Sequence, residues 1–336
     1  MNRVGLTMGD PAGIGPEVIC KALTDMPSDE RAATLVIADP VFIARASDLV
    51  GAGLTFCPPE GPVPDAAVPL LPVEAPNRDS ILPGQLSADA GEAGCRCVKK
   101  AVELALAGVI DVICTASLNK TAIRMAGYAL NGHAGLLSHF TGVKKSYAVL
   151  ACPRLSVIHV STHVSVARAA ELCRTTLVLD TIRAAHHHVL TTGIARPRIA
   201  VAGLNPHCGE GGLYGNEDQE YVEPAIKAAR EEGIEATGPI PGDVVFEQAI
   251  DGKYDIVVAQ FHDQGHIPAK LIGRHETVNI TAGLPVLRTS VDHGTAFDIA
   301  WKGVAKPGNM KAAIAMARRM RPISTEACGC PRQLSS

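Results

Sequence analysis

Short apolar runs alternate along this chain with longer stretches of helical periodicity. Val4–Met8, Thr34–Ala38, Val109–Thr115, Arg198–Ala202, Tyr254–Ala259 and Thr277–Thr281 read as buried strands. Ala148–Cys152 and Leu155–Val160 read as two more, parted by a turn at Pro153. The pattern predicts helices over Ala88–Ala107, Ala167–Leu190, Asp218–Glu232, Ala296–Lys302 and Met310–Met320, and others starting near Pro16 and Asn119. Strands alternating with helices imply an α/β protein with a mostly parallel sheet. From Cys57 to Gly84 the chain is crowded with proline, which predicts a surface excursion holding one short strand at Leu70–Val73. No internal repeat is visible, and the last dozen or so residues read as a disordered tail.

Composition narrows this only a little. At 336 residues the chain is long enough for more than one globular unit. Its 47% hydrophobic and 19% charged residues are ordinary for a soluble α/β protein, and a formal net charge of −3 gives no reason to expect nucleic acid or an anionic membrane as partner. No apolar run reaches the length of a membrane span, and the N-terminus shows no signal-peptide pattern, so a cytoplasmic enzyme is expected. The ten cysteines lack zinc-ribbon spacing: Cys95/Cys97 and Cys328/Cys330 are too close in sequence, while Cys20, Cys114, Cys152 and Cys173 sit in apolar segments. They are expected to be reduced and structural.

Candidate chemistry gathers where strands end. Val157–His163, Val201–His207 and Val257–Asp263 each run from an apolar strand into a polar loop bearing histidine. In α/β folds the C-terminal strand ends form the ligand crevice. Singly, each histidine is no more than a polar residue at a strand end; together, His163, His207 and His262 make a three-imidazole metal site the better reading. Imidazole suits zinc and other first-row metals better than magnesium. His159 should face away from Val160 and lie in the core or just behind the site, whereas His186, His187 and His188 read as helix surface. Lys270, Asn279 and Arg288 flank an apolar stretch and suit a phosphate or carboxylate clamp, with solvated surface charge as the plainer alternative. Ser290–Ala300 mixes small, hydroxyl and acidic residues before an expected helix, as a dinucleotide loop would. No Gly-x-Gly-x-x-Gly fingerprint supports a conventional Rossmann site.

Four blocks in order carry a resemblance. They are Met8-Gly9-Asp10-Pro11-Ala12-Gly13-Ile14-Gly15-Pro16-Glu17, Leu204-Asn205-Pro206-His207-Cys208-Gly209-Glu210-Gly211, Phe261-His262-Asp263-Gln264-Gly265 and Arg288-Thr289-Ser290-Val291-Asp292-His293-Gly294-Thr295-Ala296. Over nearly its whole length the chain resembles the 4-hydroxythreonine-4-phosphate dehydrogenase family. The resemblance implies an isocitrate/isopropylmalate dehydrogenase-like fold, with two α/β subdomains around a cleft (about 1–130 plus 270–325, and 131–269), and a homodimer with a shared active site. It also implies NAD or NADP and one divalent metal per subunit: zinc first, then magnesium, manganese or cobalt. His163, His207 and His262 match the family's metal ligands, one donated across the dimer interface. His133, Lys270, Asn279 and Arg288 match its substrate-binding residues. In Asn131-Gly132-His133-Ala134-Gly135, Ala134 stands where the family has a substrate-contacting threonine and Gly135 where it has a glutamate. Asp292, His293, Gly294, Thr295, Ala296 and Asp298 resemble the nucleotide loop of β-decarboxylating dehydrogenases.

The departure at Ala134 points away from the vitamin B6 substrate and toward the branch acting on 4-phospho-threonate or 4-phospho-erythronate. His159–Ser165, Gly265-His266-Ile267-Pro268 and Ala296–Ala300 resemble that branch, and Gly265–Pro268 is shared with terephthalate cis-dihydrodiol dehydrogenases. Asp243, Asp263 and Lys120 are the candidates for the base that takes the hydroxyl proton, in an oxidation followed by decarboxylation. The rival classes are an acyl or phosphoryl transferase on the same scaffold and a non-catalytic metabolite binder.

Overall fold

The computed structural model describes residues 2–130, 132–273 and 276–322. The chain divides into two compact units, Met1–Ser146 with Arg274–Arg319, and Tyr147–Gly273 with Met320–Ser336. The expected tail at 326–336, with Cys328 and Cys330, lies outside the described residues. Every cysteine within them is free, and none of their helices is long and apolar enough to cross a membrane.

In chain order the first unit opens with β1 (Val4–Thr7), α1 (Gly15–Thr24), α2 (Ser28–Ala32), β2 (Thr34–Ala38), α3 (Pro40–Leu49), β3 (Phe56–Cys57) and β4 (Val68–Pro72). It continues through α4 (Ala88–Leu106), β5 (Val112–Thr115), α5 (Lys120–Met125) and α6 (Gly132–Thr141). The second unit holds β6 (Tyr147–Cys152), β7 (Leu155–His159), α7 (Val166–Leu172), α8 (Thr175–Thr191), β8 (Ile199–Ala202), α9 (Glu223–Glu231), β9 (Ala236–Ile240), α10 (Val245–Ile250), β10 (Ile256–Ala259) and α11 (His262–Gly273). The chain then returns to the first unit with β11 (Val278–Ala282), β12 (Leu287–Val291) and α12 (Gly308–Arg319).

The first unit's strands lie in the order β3-β4-β2-β1-β5-β12-β11, all pairs parallel except β11 with β12. The second unit's order is β6-β7-β10-β8-β9, parallel except β6 with β7. Central strands of such sheets are covered on both faces, so their sequences are unbroken apolar runs rather than alternations. β1 and β10 obey this, with all four residues of each buried. In the second unit Val157, Ala200, Val257 and Ala259 pack with Leu150, Val245 and Phe246 into one core.

Three expectations are corrected. The helix expected over Ala167–Leu190 is two helices, because Cys173 and Arg174 are extended and Cys173 turns its buried thiol toward Gln260 Oε1, 3.6 Å away. The helix expected at Ala296–Lys302 is a run of turns: Ala296 and Trp301 take positive φ (45° and 59°), which breaks a right-handed helix, and Trp301 Nε1 donates to Pro11 O. His188 is not surface. It is buried in α8, and burial lowers its pKa to about 4.

Candidate functional site

The parallel strands β7, β8 and β10 end at His159, Ala202 and Ala259, so the segments carrying His163, His207 and His262 leave the same edge of the second unit's sheet. Two buried or half-buried amides tie these ends together. Gln260 Nε2 donates to Ala202 O (2.7 Å), Gln264 Nε2 donates to Gly203 O (2.8 Å), and Gln264 Oε1 accepts from Gln260 N (2.7 Å). Ser161 Oγ donates to Gln260 O at 3.1 Å.

A pocket of about 270 Å³ opens there, lined by Ser161, Thr162, His163, Val164, Val166, Ala169, Phe261, His262 and Asp263. The His163 and His262 rings stand 5.8 Å apart between centroids. His262 is not in a loop, as the pattern suggested, but is the first residue of α11. Asp263 Oδ1 accepts from its Nδ1 at 2.6 Å, an arrangement that leaves Nε2 as the lone-pair atom. Behind it His266 is stacked on His262, 3.7 Å between centroids and 12° between planes. His266 Nδ1 also lies 3.0 Å from Nε2 of buried His159. Burial, then the neighbouring ring, pushes His159 down to about 3 and His266 to about 4, so both are neutral near pH 7.

His207 does not join this pair. It lies against Tyr214, ring centroids 6.2 Å apart, in the segment Pro206–Gly212. Here His207, Cys208, Gly209, Glu210 and Gly211 all have positive φ, a strained course for the three that carry side chains. Asp218 holds the preceding turn, accepting from Leu204 N at 2.7 Å and Asn205 N at 2.9 Å. Among the described residues no group of three His, Cys, Asp or Glu could hold a metal. The donor chemistry of His163 and His262 fits a divalent ion as two of its ligands.

The second cluster lies in the first unit. Arg288, on β12, is 3% exposed, with Nη2 donating to Thr115 Oγ1 (2.7 Å) and Nη1 to Thr281 Oγ1 (2.9 Å). Among the described residues it has no carboxylate partner, and burial pulls its pKa down to about 9. A buried guanidinium satisfied only by hydroxyls lacks a counter-ion. Close to it is His133, on the first turn of α6 rather than in the expected loop. Its Nε2 is buried without a hydrogen-bond partner, and its pKa is lowered well below the usual value by burial, then by the Arg288 charge. The unmet charge of Arg288 suits an anion, which would in turn favour protonation of the His133 ring beside it. Ala134 is the next residue of α6 and is exposed, and Lys120 begins α5, its Cε 3.4 Å from where a Cβ on Gly132 would stand. Asn279 is half-buried on β11, opposite Ser290. Lys270 is exposed on α11 and so belongs to the other unit, as do Asp263 and Asp243, also exposed.

The segment Asp292–Asp298 packs on the β1–α1 turn: Thr295 O accepts from Ile14 N at 3.0 Å, and a Cβ on Gly13 would meet Thr295 Cβ at 2.9 Å. His293 Nε2 is buried without a partner, Gly294 and Asp298 are exposed, and Asp292 and Ala296 are half-buried. With no helix after it, this loop has no helix dipole to offer a dinucleotide.

The two-unit α/β fold carries these clusters, and the relatives below make the chain an enzyme of the dehydrogenase class, an oxidoreductase acting on CH–OH. The chain belongs to the family described as pyridoxal phosphate biosynthetic protein PdxA, which it matches over residues 30–317. It is 44% identical to the D-threonate 4-phosphate dehydrogenase of Salmonella typhimurium over 332 residues, covering 94% of this chain and 98% of that one. It is 39% identical to the 4-hydroxythreonine-4-phosphate dehydrogenase of Geobacter metallireducens, covering 98% of each. A crystal structure of a 4-hydroxythreonine-4-phosphate dehydrogenase from Burkholderia phymatum superposes with a TM-score of 0.87 at 41% identity, covering 96% of this chain and 99% of that one. A terephthalate 1,2-cis-dihydrodiol dehydrogenase from Burkholderia xenovorans LB400 gives 0.70 at 31% identity, covering 95% and 98%.

Proposed function

We propose that the chain oxidises a 4-phosphorylated hydroxy acid with NAD or NADP, the product then losing CO₂. The observation that carries this is the buried, counter-ion-free guanidinium of Arg288 beside the unpartnered Nε2 of His133. A phosphate dianion supplies the charge that Arg288 lacks, and its negative charge would favour a proton on His133 Nε2, which could then donate to it. Asn279 and Lys270 are the further residues of this reading. Phosphate binding remote from the reacting carbon fixes the substrate's orientation and thereby assists the chemical step.

In the same reading His163 and His262 of one subunit and His207 of a partner subunit hold a divalent ion, zinc first. When bound, such an ion would supply Lewis-acid polarisation of an oxygen on the substrate. Asp263, already bonded to His262, orients that imidazole; Asp243 or Lys120 remains to accept the hydroxyl proton, and a bound nicotinamide would supply the hydride acceptor. Asp292, His293, Gly294, Thr295, Ala296 and Asp298 are the proposed nucleotide loop, supported by its packing on the Gly13 turn. Exposed apolar side chains near each histidine in sequence support a homodimer: Val166, Leu213, and Ile267 and Leu271 on α11.

Two substrates are in contention. The name of the Salmonella relative and Ala134 in place of threonine favour D-threonate 4-phosphate, whereas the family description and the Geobacter and B. phymatum relatives favour 4-hydroxythreonine-4-phosphate. NADH formation with zinc present, measured on both compounds and on the terephthalate diol, tests the proposal. Turnover of either phosphorylated compound is the expected result; turnover of the diol alone, or of none, would overturn it.

A further inference from the structure

The ring of His266 belongs to no role described so far, and its bonds fix more than its position. Buried His159 places Nδ1 3.3 Å from Ala148 O, a carbonyl that can only accept. His159 therefore carries its proton on Nδ1, and Nε2 is an acceptor. That acceptor faces His266 Nδ1 at 3.0 Å, and the same Nδ1 lies 3.1 Å from His262 O. Both neighbours accept, so His266 also carries its proton on Nδ1. One backbone carbonyl thus sets two tautomers in series.

The backbone is cut to admit this contact. A Cβ at Gly265 would come within 2.4 Å of His159 Nε2 and 2.6 Å of Val157 Cγ1. Only glycine there lets the His159 ring reach His266. The consequence falls on His262, one helical turn before His266 on α11. Rings stacked 3.7 Å apart and 12° from parallel have in-plane lone pairs that run side by side instead of converging on one ion. His266 is therefore not a third ligand beside His262; it is a wall against which that ring lies.

We propose that His266 is a positioning residue, anchored by His159 and laid flat on His262, so that His262 keeps a single orientation with its Nε2 left for a divalent ion. This rests on the metal reading above. Partners of this kind, one step behind a ligand, typically change metal affinity 10- to 100-fold.

The experiment joins two measurements on the full chain. Long-range nitrogen–proton NMR of the metal-free protein reads the tautomers, and competition against a chromophoric chelator reads zinc affinity for the wild type, His262→Ala, His266→Ala, His159→Phe and Gly265→Ala. Expected are Nδ1–H tautomers at both His159 and His266, zinc binding abolished in His262→Ala, and affinity about 10- to 100-fold weaker in His266→Ala. His159→Phe keeps a ring of similar size without the acceptor, and weakens zinc in the same direction. An Nε2–H tautomer at His266, or wild-type zinc affinity in His266→Ala, would overturn the proposal while leaving the metal reading intact. A wild type that binds no zinc removes the metal reading itself. Should His266→Ala or Gly265→Ala fail to fold, the wild-type tautomers and His159→Phe still decide.

Discussion

Arg288 illustrates how much a single side chain can say. A guanidinium that is 3% exposed and bonded to two threonine hydroxyls lacks, among the described residues, the carboxylate that a structural arginine normally has. Its planar fork matches phosphate, and lysine's point charge does not replace it. Arg288→Ala is expected to raise KM for a 4-phosphorylated acid on the order of 100-fold, with a smaller loss in kcat, and Arg288→Lys to recover little of it. Steady-state kinetics on a folded variant checks this; an unchanged KM would remove Arg288 from the phosphate site. His188 gives a prediction of a different kind. Burial holds its folded pKa at about 4, below the ordinary 6.5, so the unfolded chain takes up a proton first as pH falls. Its contribution to stability is complete above about pH 6.5 and is lost progressively toward pH 4. His188→Gln should flatten the fall of Tm across that window; the same slope in both proteins would contradict the assignment.

At the scale of elements, much of the architecture was legible from pattern. β1, β5, β8 and β10 stand out as apolar runs because central parallel strands are buried on both faces. Asn119 announces α5: its side chain accepts from Thr121 N (2.9 Å) and Ala122 N (3.2 Å). Removing that cap in Asn119→Ala should cost about 1 kcal/mol, visible as a lower denaturation midpoint with an unchanged m-value. What pattern missed was set by distant contacts. Nothing local marks the break at Cys173, which depends on Gln260 some 87 residues away, or the turns at Ala296 and Trp301, where the indole bonds Pro11. β12 was missed because its sequence, Leu-Arg-Thr-Ser-Val, is polar, yet Arg288, Thr289 and Ser290 are all buried. The site shows the same division. Strand-end patterning singled out His163 and His262, but the amides Gln260 and Gln264 and the His159–His266 bond are long-range and leave no mark in spacing.

For the whole molecule, the proposed ligand set makes a prediction about subunits. If His163 and His262 come from one subunit and His207 from its partner, a heterodimer of His163→Ala and His207→Ala subunits contains one intact site and one doubly broken site. Random exchange of equal amounts should restore roughly a quarter of wild-type activity. A mixture of His163→Ala and His262→Ala subunits should restore none, since each site then lacks one histidine. Recovery in the second mixture, or none in the first after verified exchange, would contradict the sharing. The family assignment does not depend on this result, but the division of labour between subunits does.

The central claim is that a phosphate on the substrate answers the buried charge of Arg288. The most direct test compares wild-type kcat/KM on threonate 4-phosphate with that on threonate itself, under the same zinc and NAD conditions. A buried charge-assisted phosphate contact worth about 3–4 kcal/mol corresponds to a preference of at least about 100-fold for the phosphorylated acid. Equal values for the two would contradict the account and turn attention to unphosphorylated substrates such as the terephthalate diol.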